Sequence, residues 1–142
     1  MDNSAMFQQF VAFTTAVHQT TNEISKDLRP KSITPVQYKI MEYIAVSQPV
    51  TISEISDCML MSMPNTSREL KKLTDKELCE KVTDEEDRRK QFIRLSAKGE
   101  AMMGEAFGFI AARFAQRIEK ESEEELQKLA DALELLHRKV FY

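Results

Sequence analysis

Two helix starts stand only eleven residues apart in this chain, at Thr51 and Ser62, and that spacing constrains the fold more than any other feature. Thr51 and Glu54 have capping-box spacing, in which a hydroxyl and a carboxylate each satisfy a first-turn backbone N–H. Ser62 can cap again, with Pro64 in the first turn, where a missing N–H is tolerated. Between the two starts, Ile52, Ile55 and Met59 form an apolar stripe only about two turns long. A short helix, a tight turn and a second helix follow. In the second helix Thr66, Leu70 and Leu73 recur at helical spacing and face inward, leaving Pro64, Asn65, Ser67, Arg68, Lys71 and Lys72 on the opposite side. From Leu78 the period changes. Residues Leu78–Val82 and Gln91–Ser96 read as short strands, joined by the polar run Thr83–Lys90, and Phe92 and Arg94 alternate against Ile93 and Leu95. Since an isolated hairpin is marginal in water, its apolar side should lean on the helix that precedes it.

The flanking segments are helical. Residues 4–28 carry Phe7, Phe10, Val11, Val17, Ile24 and Leu28 on one stripe, with Asn3 or Ser4 as cap and Pro30 as stop. Thr34, Pro35 and Gln37 open the next helix with a capping box, and Val36, Ile40, Met41 and Ile44 supply its buried face. Ser96 caps a long helix bearing Met102, Met103, Ala106, Ile110, Phe114 and Ile118. Gly104 and Gly108 cost that helix roughly 1 kcal/mol each relative to alanine, which implies close backbone approach or a bend. Ser122 and Glu125 form a third box, and Leu126, Leu129, Leu133, Leu136 and Val140 then alternate three and four apart as in a coiled-coil seam. The expected fold is mainly α with a small two-stranded β-wing.

A chain of 142 residues can bury an ordinary core. With eight Phe, eight Met and no Trp, it carries more apolar helix surface than one subunit covers, and the stripes at Phe7, Phe10, Val11 and Leu126–Val140 call for a second copy. The net charge of −3 does not by itself mark a nucleic-acid binder, so distribution matters. Residues 62–98 hold ten Lys or Arg against eight Asp or Glu, whereas residues 119–135 hold two against seven. No apolar run reaches the ~20 residues needed to cross a bilayer and no signal segment opens the chain, so no membrane role and a cytoplasmic location are expected. Cys58, on the inner face of its short helix, and Cys79 read as reduced packing thiols rather than oxidant sensors. With two His and no clustered Cys, no metal site is expected. No nucleophile with a nearby base and no phosphate-cradling glycine loop is legible, so neither catalytic residues, cofactor nor enzymatic activity is expected.

The order short helix, turn, helix, charged hairpin is that of a winged helix-turn-helix, which suits duplex DNA. The second helix fits the major groove and brings Asn65, Ser67, Arg68 and its first-turn amides toward base edges and phosphates. Arg68 can donate two parallel bonds to guanine or hold a phosphate. Ser62, Pro64, Lys71 and Lys72 complete the DNA-facing set, with the polar members on the backbone. In the hairpin Arg88, Arg89 and Lys90 can reach a minor groove or phosphate, with Asp87 bracing Arg89. Such cationic runs are often merely solvated helix faces, and the adjoining hairpin is what tips the reading toward DNA. The alternative is a helical protein-interaction adaptor that has lost DNA binding.

Asp87, Arg88 and Arg89 followed by Phe92, Leu95, Ser96, Lys98 and Gly99 resemble the wing signature of the MarR family of bacterial transcription regulators. Thr34, Gln37, the stretch Thr51–Ile55 and the Arg68–Leu73 spacing agree with that family's second, third and recognition helices. The chain departs at Glu77, where the family usually has glycine, and at Cys79, where it usually has an aliphatic residue. The resemblance implies a homodimer built through residues 1–30 and 100–142, with a DNA-binding lobe at 34–98. It further implies a repressor on a pseudo-palindromic operator, with recognition helices about 34 Å apart. Release by a small apolar or phenolic effector is part of the same expectation, with Val17, His18, Tyr38 and Met41 as candidate lining.

Overall fold

The computed structural model describes residues 2–142. Its elements are α1 (Asn3–Ser25), α2 (Pro35–Ser47), α3 (Ile52–Met59), α4 (Met63–Asp75), β1 (Cys79–Thr83), β2 (Gln91–Leu95), α5 (Ala97–Ile118) and α6 (Glu123–Lys139). The strands pair antiparallel, with Cys79 opposite Leu95 and Thr83 opposite Gln91. Local chemistry explains most starts. Thr34 with Gln37 and Thr51 with Glu54 form complete capping boxes, and the Ser62 and Ser96 side chains accept from the amides of Asn65 and Gly99. At α6 only half of the expected box forms: Ser122 accepts from the Glu125 amide, while the Glu125 carboxylate takes a bond from Lys128 instead.

The core runs from Ile33 to Ala106 and gathers Ile40, Met41 and Ile44 of α2, Ile55 of α3, Leu70 and Leu73 of α4, Ile93 and Leu95 of β2, and Met103 of α5. Helix α6 buries none of its residues and α1 buries only Ile24. The hairpin does not rest on α4 alone, as the sequence pattern led us to expect. β1 meets α4, but β2 packs on α2, α3 and α5. Val50, in the loop ahead of α3, exchanges two backbone hydrogen bonds with Ile93, at 3.0 and 2.6 Å, and so adds a third short rung to the sheet. Gln48 extends the junction: its Oε1 accepts from the Leu95 amide at 2.9 Å and its Nε2 donates to Glu100 at 3.3 Å.

Several boundaries differ from expectation. α1 is capped by Asp2 rather than Asn3 or Ser4 and stops at Ser25, three residues short. Arg113 on α5 closes that end by donating from Nη1 to the Ile24 and Lys26 carbonyls, both at 2.8 Å, a tertiary cap with no local signal. Val36 is exposed, because Gln37 and Tyr38 take the buried first-turn positions. Leu78 lies in the turn that closes α4, ahead of β1 rather than in it. The amides of Glu77 and Leu78 bond back to the Thr74 and Leu73 carbonyls, at 2.9 Å each, which is the Schellman closure. Leu60 ends α3 in the same way, through the carbonyls of Asp57 and Ser56.

Both closures need a left-handed residue, and here that residue is Leu60 (φ 53°) or Glu77 (φ 63°) rather than glycine. A side chain in this conformation costs about 1–2 kcal/mol, and glycine returns part of that as extra unfolded-state freedom. Leu60→Gly and Glu77→Gly are therefore each expected to stabilise the chain by about 0.5–1 kcal/mol, read as a higher midpoint in urea unfolding. A lower midpoint for both would overturn the strain argument.

Candidate nucleic-acid interface

Helix α4 is divided lengthwise. Thr66, Leu70 and Leu73 are buried, while Pro64, Asn65, Ser67, Arg68, Lys71 and Lys72 are all exposed. Thr66 fixes the rotation of the helix: its hydroxyl donates to the Ser62 carbonyl at 2.9 Å and lies 2.9 Å from the hydroxyl of buried Ser56 on α3. Glu69, at the edge of the face, accepts from buried Gln37 at 3.0 Å and from Lys72 at 3.5 Å. Lys76 adds bonds to the Ser32 carbonyl (2.7 Å) and Gln37 Oε1 (3.3 Å). One polar network thus ties α4 to the start of α2. The capping pattern revealed Gln37 only as a box residue, and no local signal pointed to its contact 32 positions along the chain.

The first turn of α4 offers fewer amides than expected. Pro64 has no N–H, and the Asn65 amide is taken by Ser62 Oγ at 3.2 Å. Anionic groups at this end are therefore met mainly by side chains. Among the described residues Arg68, Lys71, Arg88 and Lys90 form no ion pair, whereas Lys72 is paired with Glu69 and Arg89 with Asp87.

The wing tip is braced from within. Asp87 Oδ1 accepts from the Arg89 amide at 3.0 Å and from Arg89 Nε at 3.4 Å. Asp84, which the sequence presented only as part of the polar run Thr83–Lys90, makes the matching turn by accepting from the Glu86 amide at 2.9 Å. The loop closes through Asp84 N to Lys90 O at 3.1 Å. Arg94 and Glu80, directly opposite in the sheet, pair at 2.6 Å. This leaves Arg88 and Lys90 exposed on a short, tied loop beside α4 in sequence order.

Phe7, Val11, Leu129, Leu133 and Val140 are exposed, Phe10, Leu126 and Leu136 half-buried, and Phe10 packs on Phe141 with ring centroids 5.8 Å apart. Gly104 and Gly108 meet nothing within 4 Å of where a side chain would begin, so no close approach inside this subunit accounts for them. Gly99, singled out only as part of the wing signature, is the tight one: a Cβ there would lie 2.1 Å from the Leu78 carbonyl oxygen.

Cys58 is exposed, contrary to its expected inward orientation, and Cys79 is buried. Burial pushes the Cys79 thiol up to about 12 from the ordinary 9.0. A native chain is expected to give one thiol to a maleimide reagent and two after denaturation. The sign of the pH effect follows from the shift. Unfolded Cys79 ionises near 9.0 while the folded thiol stays neutral, so its contribution is whole below 9.0 and is lost as pH rises toward about 12. Unfolding in urea at about pH 8 and about pH 10.5 should show a smaller loss for Cys79→Ala than for the parent, and equal losses would refute it.

A two-turn helix, a tight turn, a half-exposed cationic helix and a braced two-stranded wing together define a winged helix-turn-helix. Residues 33–90 match the model of the MarR family. The chain is 23% identical over 124 residues to the HTH-type transcriptional regulator MhqR of Bacillus subtilis (strain 168), covering 87% of this chain and 86% of MhqR. Among solved structures, a MarR family protein from Bacillus stearothermophilus superposes with a TM-score of 0.80 at 21% identity over the whole of both chains. Staphylococcus aureus MarR in complex with salicylate and kanamycin gives 0.69 at 21% identity, covering 96% of this chain and 93% of that one.

Proposed function

We propose that this chain is a transcription regulator that binds duplex DNA as a homodimer and represses from a pseudo-palindromic operator. The observation that carries this reading is the outward face of α4, where Asn65, Ser67, Arg68 and Lys71 are exposed beside a wing that offers Arg88 and Lys90. The lobe that holds them has buried every apolar side chain of α4 except Met63 and Pro64 in its first turn, so the exposed face is left for a polar, anionic partner. The kinship with MhqR supports the regulator class. Residues 34–98 form the DNA-binding lobe, while 1–30 and 100–142 supply the two-fold interface.

A cavity of about 280 Å³ between the α1–α2 connection and α5, lined by Leu28, Pro30, Met102, Glu105, Ala106 and Phe109, supports a small, mainly apolar effector. Tyr38 and Met41 are buried in the core rather than lining it, and Val17 and His18 lie exposed on α1.

Selection of bound fragments from genomic DNA, followed by gel shift, tests the reading. With about six phosphate contacts per dimer, affinity should fall about 10³-fold between 50 and 200 mM salt. Arg68→Ala should weaken the selected site about 10–100-fold, since two copies are lost per dimer. An adaptor would give no salt-dependent retention, and full specific binding by Arg68→Ala would refute the assignment of α4 as the reading helix.

A further inference from the structure

Asn65 and Arg68 lie one turn apart on the exposed face of α4, and they are joined: Arg68 Nη2 donates to Asn65 Oδ1. The capacity left over follows from the inventory of each group. An asparagine amide brings one acceptor oxygen and two N–H donors, and a guanidinium brings five donors and no acceptor. With a guanidinium seated on one of the two lone pairs of the asparagine oxygen, the pair presents mainly donors to the outside. Its surroundings do not change this. The Asn65 backbone amide is taken by Ser62, Lys71 is a further donor, and the Glu69 carboxylate is engaged by Gln37 and Lys72.

The major groove sorts base edges by the same chemistry. Guanine shows two acceptors, thymine one acceptor and a methyl group, adenine an acceptor beside a donor amine, and cytosine a donor amine. A free asparagine takes adenine by using both its oxygen and its amide. Here an approaching adenine amine has to share the Asn65 oxygen with the Arg68 guanidinium, whose positive charge disfavours a second donor beside it.

We infer, on the reading that α4 enters the major groove, that Asn65 is a positioning residue that aims the Arg68 fork. The pair selects acceptor-only edges, with guanine under Arg68 and guanine or thymine under the Asn65 amide. Held in this way, Arg68 keeps Nε, Nη1 and one Nη2 hydrogen for two parallel bonds to guanine O6 and N7.

The test uses the full-length protein and duplexes selected by it from a randomised pool, each base pair of a half-site then being replaced in turn. The parent should prefer one guanine per half-site over adenine by about 10-fold or more. Asn65→Ala should shrink that preference to about threefold or less while leaving the salt dependence unchanged, because the Arg68 charge remains. Asn65→Asp retains the oxygen that holds Arg68, and should keep the guanine preference while losing discrimination at the neighbouring pair. Arg68→Lys keeps the charge, loses the fork and should lose the guanine preference. A full guanine preference in Asn65→Ala, or adenine selected beneath Asn65, overturns the inference while leaving the regulator reading intact. A parent protein that selects no duplex at low salt overturns both.

Discussion

Gly99→Ala is expected to destabilise the chain by about 3 kcal/mol and to lower its melting temperature by about 10 °C, read by circular dichroism. The new methyl group would stand 2.1 Å from the Leu78 carbonyl oxygen, 3.1 Å from its carbon and 3.4 Å from Leu95 Cβ. The first of these is a backbone atom that cannot swing aside, because Leu78 O accepts from the Ser96 amide at 3.0 Å, just where α4, the sheet and α5 converge. Relief requires moving α5 away from the strands, which also strains the bond from the Ser96 hydroxyl to the Glu77 carbonyl. Gly104 in the same helix is the contrast: with open space around it, Gly104→Ala should gain up to about 1 kcal/mol from helix propensity. A loss at Gly104 would mean that a second chain comes against that face. An unchanged melt for Gly99→Ala would refute the close-approach argument.

The second large effect concerns α6. Leu129→Glu with Leu133→Glu is expected to yield a folded monomer by sedimentation, with operator affinity lowered by at least about 100-fold. Both leucines are exposed within the subunit, at 46% and 62%, and α6 buries nothing of its own, so the substitutions cost the lobe no packing. In a two-fold dimer the same positions carry the seam, and two buried carboxylates per chain would be left without partners. A dimer engages its second half-site at an effective concentration set by the tether, an advantage of about 10²–10⁴ that a monomer forfeits. A doubly substituted protein that still sediments as a dimer and binds like the parent would remove α6 from the interface.

Much of this architecture was legible because it is written locally. Thr34, Thr51, Ser62 and Ser96 mark helix starts by side chains that reach their own first turns, and Thr66, Leu70 and Leu73 give the inward face of α4 by period alone. Illegible features came from partners far along the chain. Arg113 ends α1 from 89 residues away, Gln37 reaches Glu69, and Val50 pairs with Ile93, more than forty residues downstream. Asp87 was readable as a brace because Arg89 is two residues on, while Asp84 turns to a backbone amide that no side-chain pattern announces. Leu60 and Glu77 hid their turns because the usual glycine is missing, so the left-handed geometry is imposed by the helices on either side rather than by residue type.

The rung between Val50 and Ile93 has a mechanical consequence. It laces the approach to α3 into the middle of the wing, so hairpin and helix pair form a single jaw whose internal angle is fixed before any duplex arrives. On the proposed function, tolerance for operators with stretched or compressed spacing then resides in the joints that carry the two jaws. The reading head itself stays the same at every spacing, and an effector can loosen the grip without altering which bases are preferred.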